Sequence, residues 1–137
     1  MPKQPQFTAQ ITALLVAQDA FEDKRGRTHV IGIFDTIGAP KFPVSIGFMV
    51  YIAVKGEGSH TVVVKMEDSL GDKILQTEPM VAEVTPQRGH QIFMGIGTTL
   101  KASGLYKVIA FLDGVEEIEH PLFIREEAKP QIGPQST

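Results

Sequence analysis

The chain has no cysteine, no tryptophan and no asparagine among its 137 residues. Without Cys there is no disulfide, no thiolate nucleophile and no Cys-ligated zinc. Without Asn there is no N-glycosylation acceptor. Long apolar runs are missing as well. The longest early one, Ile11 to Ala17, is interrupted by Thr12 and falls far short of the roughly 20 residues a membrane helix needs. No apolar run follows directly on Lys3, so no signal peptide is read there and cytoplasmic residence is expected. An excess of positive charge is also lacking. Thirteen Lys and Arg against 16 Asp and Glu give a net charge of −3, which supplies no field to attract nucleic acid or anionic lipid. Neither is expected as a partner.

What the chain does have is alternation. Hydrophobic residues make up 42% of it, enough for one domain with a sizeable core. Phe48, Val50, Ile52 and Val54 alternate with Met49, Tyr51 and Ala53 before a turn at Lys55–Gly58. Val62, Val64 and Met66 then alternate with Thr61, Lys65 and Glu67. Pro79 cannot donate to a ladder, so the stretch from Ile74 to Val84 predicts an edge or a break. Leu105 to Leu112 is apolar on both faces, as in a covered strand. Asp113-Gly114 has the chemistry of a two-residue type I′ hairpin. The segment from Ile11 to Phe21 carries part of a helical stripe, but Gln18 breaks it. Strand is read there, with a hairpin loop at Glu22–Gly26 leading into Val30–Phe34. Short strands with regular turn signals predict an all-β, antiparallel, immunoglobulin-like sandwich of seven to nine strands. Residues 7–125 form one domain in this reading. Residues 1–6 and 126–137 are too polar and proline-rich to join it and are expected to be disordered tails.

Leu100-Lys101-Ala102-Ser103-Gly104-Leu105-Tyr106 reads as a tyrosine corner, in which the phenol folds back to the backbone upstream. With it, Ala13-Leu14-Leu15, Ile31-Gly32-Ile33-Phe34-Asp35, Phe42-Pro43, Gly104-Leu105-Tyr106 and Asp113-Gly114 make the chain resemble a family of small uncharacterised bacterial proteins, known only as a domain of unknown function. The resemblance runs from about Thr8 to Ile124. It implies an immunoglobulin-like sandwich and carries over no activity and no catalytic residues.

Chemistry-bearing patterns are sparse. His29, His60, His90 and His120 lie about thirty residues apart, and no pair has the close spacing by which one element presents two metal ligands. Glu117 and Glu119 share a strand face but lack an apolar pocket to separate their pKa values. Glu67, Asp68 and Asp72 bracket a loop, yet calcium wants six or more oxygens. Ser59 and His60 are adjacent and so point to opposite faces. No catalytic residue, no metal and no cofactor is expected, and the chain is not expected to be an enzyme.

Parity from Leu100 turns Ile92, Met94 and Ile96 inward and leaves Phe93, Gly95 and Gly97 outside. The same rule puts Met49 and Tyr51 outside on one strand, and Ile109 and Phe111 outside on another. If those three strands are neighbours, Met49, Tyr51, Phe93, Gly95, Gly97, Ile109 and Phe111 form one apolar outer face. Such a face predicts a protein-interaction module that self-associates, most simply as a homodimer, or that meets another protein. Two other readings stay open: a binder of a small ligand such as a sugar, stacking on Tyr51 and Phe93, and a hydrolase or metal enzyme. The face could also be covered by the chain's own ends.

Overall fold

The computed structural model describes residues 8–127. The expected N-terminal tail and residues 128–137 lie outside the described residues. The C-terminal boundary sits slightly later than the sequence suggests, because the last strand runs to Glu126 and the Glu127 amide donates to the Ala39 carbonyl at 2.8 Å.

Among the described residues ten strands follow one another: β1 (Ala9–Glu22), β2 (Thr28–Ile33), β3 (Thr36–Ala39), β4 (Val44–Gly56), β5 (Gly58–Glu67), β6 (Lys73–Gln76), β7 (Met80–Val84), β8 (His90–Leu100), β9 (Gly104–Leu112) and β10 (Val115–Glu126). They form an immunoglobulin-like sandwich of two sheets. The first has the order β2-β1-β4-β8. The second has the order β3-β10-β9-β5-β6, with β7 also on β5. The count exceeds the expected seven to nine because Pro79 splits one edge into two short strands. β6 pairs with the far half of β5 and β7 with the near half. The four-residue β3 adds one more and runs parallel to β10. Among the described residues no helix is long and apolar enough to cross a membrane, which says nothing of membrane-spanning strands.

The inward sets are those the alternation predicts. Val50, Ile52 and Val54 of β4 face Val62, Val64 and Met66 of β5 and Val108 and Ala110 of β9, all fully buried. β1 is a strand throughout, so tertiary pairing with β4 and β2 overrides the helix preference of its alanines. Among the described residues β8 pairs with β4 alone, in an unbroken register from Val44–Leu100 to Val54–His90.

Two polar ties fix the ends of this frame. At the corner between β8 and β9, the buried Tyr106 hydroxyl donates to the Ala102 carbonyl at 2.5 Å, while Leu100 fills the core beneath. Gly104 there has a φ of 147°, in the range that favours glycine. Burial pushes the phenol above its ordinary value, with the Asp68 charge acting in the same direction. The second tie centres on His60, which is 7% exposed. Its Nδ1 lies 2.6 Å from Asp113 Oδ2 and its Nε2 lies 2.7 Å from the Glu57 carbonyl oxygen. A carboxylate and a carbonyl only accept, so both ring nitrogens must carry protons and His60 is an imidazolium. Asp113 sits in the β9–β10 turn with a φ of 52°, and its other carboxylate oxygen accepts from the Thr61 amide at 2.9 Å. His60 thus joins the β4–β5 turn to the β9–β10 turn.

Two outcomes follow for stability. Tyr106→Phe removes a buried hydroxyl bond and should lower the unfolding free energy by about 1 kcal/mol in urea titration; a neutral result would show that the corner does not depend on it. For the second tie, the bond to Asp113, and after it the bond to Glu57, raises the His60 pKa above 6.5. Its contribution is therefore full below 6.5 and fades as pH climbs through the raised value. The bond to His60, and then the Thr61 amide, lowers the Asp113 pKa below 3.8, so its contribution is full above 3.8 and fades as pH falls through the lowered value. Stability from the pair should peak between these limits and decline on both sides. His60→Gln should flatten that profile in denaturant titrations across pH.

Candidate functional site

The outer face of the first sheet brings together most of the residues expected on an apolar surface. The β4–β8 register sets Tyr51 opposite Phe93, Met49 opposite Gly95 and Gly47 opposite Gly97. On the other side of β4, Leu15 of β1 lies opposite Tyr51 and Ala17 opposite Met49. A Cβ at Gly95 would stand 3.6 Å from the Met49 sulfur, so the methionine side chain lies close beside the space the glycine leaves.

Ile109 and Phe111 do not belong to this face. They lie on β9, which pairs with β5 and β10 in the second sheet, so they point away from the opposite side of the sandwich. The physical reason is the tyrosine corner itself: between Leu100 and Gly104 the chain crosses from one sheet to the other. Ile109 is only 2% exposed despite facing outward. Its register partners are Lys65 and Glu119. Lys107 bridges to Glu119 at 3.7 Å, and the Lys65 ammonium sits 4.7 Å from the Phe111 ring centroid. Long charged side chains with apolar stems cover Ile109 and present their heads to water, while Leu105 and Phe123, paired across β9 and β10, stay exposed.

Met49, Tyr51 and Phe93 are also not open to solvent; each is half-buried. β1 leaves β4 after the Ala17–Met49 pair but stays with β2 as far as Glu22–Thr28. A straight β1 would put Glu22 roughly 30 Å beyond the Ala13–Ala53 pair, at the usual rise per residue. Glu22, Gly26 and Thr28 instead wall one cleft of about 960 Å³ together with Ala53, Lys55, Gln91 and Phe93. The β1–β2 hairpin therefore bends back toward that end of the sheet, and its tip borders the cleft.

The hairpin loop is held by one carboxylate. Asp23 accepts from the Arg25 amide at 2.8 Å, the Arg27 amide at 3.0 Å, Arg27 Nε at 2.8 Å and His29 Nε2 at 2.7 Å. His29 above all, then the Arg27 amide, holds its carboxyl far below the usual range. Hairpin pairing also sorts the side chains. Ala20 is buried and Val30 half-buried on one face, whereas Phe21, Ile31 and Ile33 stand exposed on the other. Phe21 stacks on His29 at a centroid distance of 4.8 Å. Sequence reading missed Phe21, Ile31 and Ile33 as surface groups. The alternation of Ile31, Gly32 and Ile33 against Val30 was the available signal.

The remaining polar candidates have structural partners. Asp68 accepts from the Leu70 and Asp72 amides at 2.9 Å each, an ordinary turn. Glu117 accepts from the Ile11 amide at 3.3 Å. Ser59 is exposed while His60 is buried. Among the described residues no group of three or more His, Asp or Glu could hold a metal ion.

Comparison with known proteins adds a family and a fold. The family described as "Family of unknown function (DUF6941)" matches residues 12–125. No curated protein matches the chain. Among solved structures, Pseudomonas fluorescens alkylpurine DNA glycosylase AlkC, bound to DNA containing an abasic site analog, is 10% identical with a TM-score of 0.51 over 85% of this chain and 30% of that one. A β-glucosidase from Listeria innocua, in complex with isofagomine, is 8% identical with a TM-score of 0.53 over 91% of this chain and 17% of that one. The CARDB domain of the PF1109 protein from Pyrococcus furiosus, in complex with di-metal ions, is 14% identical with a TM-score of 0.43 over 86% and 97%. This chain spans less than a third of the first two proteins, and at such identity they share its fold alone.

Because its acidic side chains serve turns and strand ends, the domain should fold without metal. Dialysis against EDTA should leave its cooperative unfolding curve unchanged, and a collapse of cooperativity would reveal a structural ion.

Proposed function

Because the chain belongs to the family of unknown function DUF6941, which carries no activity to transfer, we propose from its surface that it is a non-catalytic protein-interaction module that associates with a second copy of itself. The observation that supports this is the outward face of the β1–β2 hairpin. Phe21, Ile31 and Ile33 are 42%, 50% and 57% exposed. Ile33 lies opposite Ala17, Ile31 opposite Asp19 and Phe21 opposite His29, so the three side chains share one face of one ribbon. Large apolar groups gathered on a hairpin cost roughly 25 cal/mol for each Å² left wet, and a contact between two copies would remove that cost from both at once. β2 also ends its sheet, so the ribbon is reachable from the side.

The non-catalytic part of the proposal is supported by the structural duties of His60, Asp68 and Glu117, whose side chains are engaged in holding turns and strand ends. The cytoplasm of a bacterial cell belongs to the same proposal, supported by the family resemblance and by a fold that needs no disulfide.

Static light scattering should return the mass of a dimer for the wild type. The double variant Ile31→Glu, Ile33→Glu should weaken association at least about tenfold, the effect of losing some 1.4 kcal/mol of binding, with an unchanged melting temperature. A wild type that is monomeric at every concentration, or a variant that remains a dimer, would overturn the proposal.

A further inference from the structure

We propose that the cleft beneath the β1–β2 hairpin is a binding site for a neutral, polyhydroxylated small molecule of the carbohydrate class. Its volume, about 960 Å³, lies at the upper end of the range of small-molecule sites and suits a ligand of one or two rings. Three features of its lining choose the chemistry.

The first is an aromatic platform. Phe93 projects from the outer face of the first sheet into the cleft and is half-buried. Its strand neighbours Gly95 and Gly97 have no side chains to crowd it, and Tyr51 supports it from β4. An aromatic face of this kind takes the C–H side of a pyranose ring, which is apolar on its faces and polar at its rim.

The second is a rim carrying both signs of charge. Glu22 comes from the hairpin, Glu83 from β7, Lys55 from the end of β4 and Arg88 from the β7–β8 turn. Among the described residues none of these four forms an ion pair. Two carboxylates can only accept hydrogen bonds, and the ammonium and guanidinium can only donate. A hydroxyl does both, so a molecule studded with hydroxyls can answer all four groups without bringing a charge of its own. A purely anionic or cationic ligand would meet two groups of like sign.

The third is the roof. The Asp23 network holds the hairpin loop that contributes Gly26 and Thr28 to the cleft. A site with a fixed wall spends less binding free energy on ordering itself.

The test is titration of the uniformly ¹⁵N-labelled full chain with glucose, N-acetylglucosamine and maltose, each at millimolar concentrations, with glycine as a zwitterionic control. One or more of the sugars should shift the amides of Gly89, Gln91 and Phe93 saturably while glycine leaves them in place. Phe93→Ala should weaken the response about tenfold, the scale of a lost stacking contact. If Phe93→Ala disturbs resonances across the sandwich, Gln91→Ala, which alters an exposed side chain on the same wall, replaces it with the same expectation. The proposal is overturned if none of the three sugars produces a saturable shift, if glycine alone does, or if the substitution in the folded variant leaves the response unchanged. The mass of the protein in solution does not enter, so this result stands apart from the test of self-association.

Discussion

Between Leu100 and Tyr106 the chain leaves one sheet and enters the other, and the bond from the Tyr106 hydroxyl to the Ala102 carbonyl holds that crossing in place. The geometry on either side depends on it. With Leu100 pinned in the core, the parity of β8 is set, and Phe93, Gly95 and Gly97 must face outward. With Tyr106 pinned, β9 enters the second sheet with Val108, Ala110 and Leu112 inward. The corner thus sends two strands that are consecutive in sequence to opposite layers. Any surface assembled from both is impossible on this fold.

That point marks where sequence reading stopped being sufficient. Strand identity, the inward sets of β4, β5, β8 and β9, the Asp113-Gly114 turn and the corner tyrosine were all legible, because each rests on local periodicity or local turn chemistry. Adjacency was not, since nothing local to Ile109 or Phe111 says which strand lies beside them. The corner did contain the missing information, as a tyrosine corner joins strands of different sheets. The half-burial of Tyr51 and Phe93 was out of reach for the same reason, because it depends on which strands flank them: Leu15 and Phe93 stand on either side of Tyr51. His60 was the other silent group: its pairing with Asp113 spans 53 positions of sequence.

The two sides of the β1–β2 ribbon carry separate properties. Its inner side, with Gly26 and Thr28 at the tip, closes a polar cleft over Phe93. Its outer side displays Phe21, Ile31 and Ile33 to water. A rigid loop serves both, and Asp23 gives the rigidity by gathering four donors onto one carboxylate. β7 of the second sheet also lines the cleft, through Val81 and Glu83. Elsewhere in that sheet Lys65, Lys107 and Glu119 surround Ile109, while Leu105 and Phe123, paired across β9 and β10, are each 45% exposed.

Asp113 has a bearing on how this chain can drift. Its φ of 52° is comfortable for Gly, Asn and Asp but for few other residues. The charge on His60 admits only an acid as partner. Glycine would keep the turn and abandon the imidazolium. Asparagine would keep the turn and the Thr61 bond, but it would remove the main cause of the raised His60 pKa and so weaken the hold on the ring's second proton. Glutamate would keep the charge on a stem one carbon too long, in a backbone conformation it resists. One residue type meets both demands, so a single substitution at position 113 gives up either the turn or the pairing as long as position 60 is histidine. An apolar replacement of His60 lifts the demand for an acid, and only then do Gly and Asn become acceptable at the turn. The two positions, far apart in the chain, are therefore coupled through one turn and one pair.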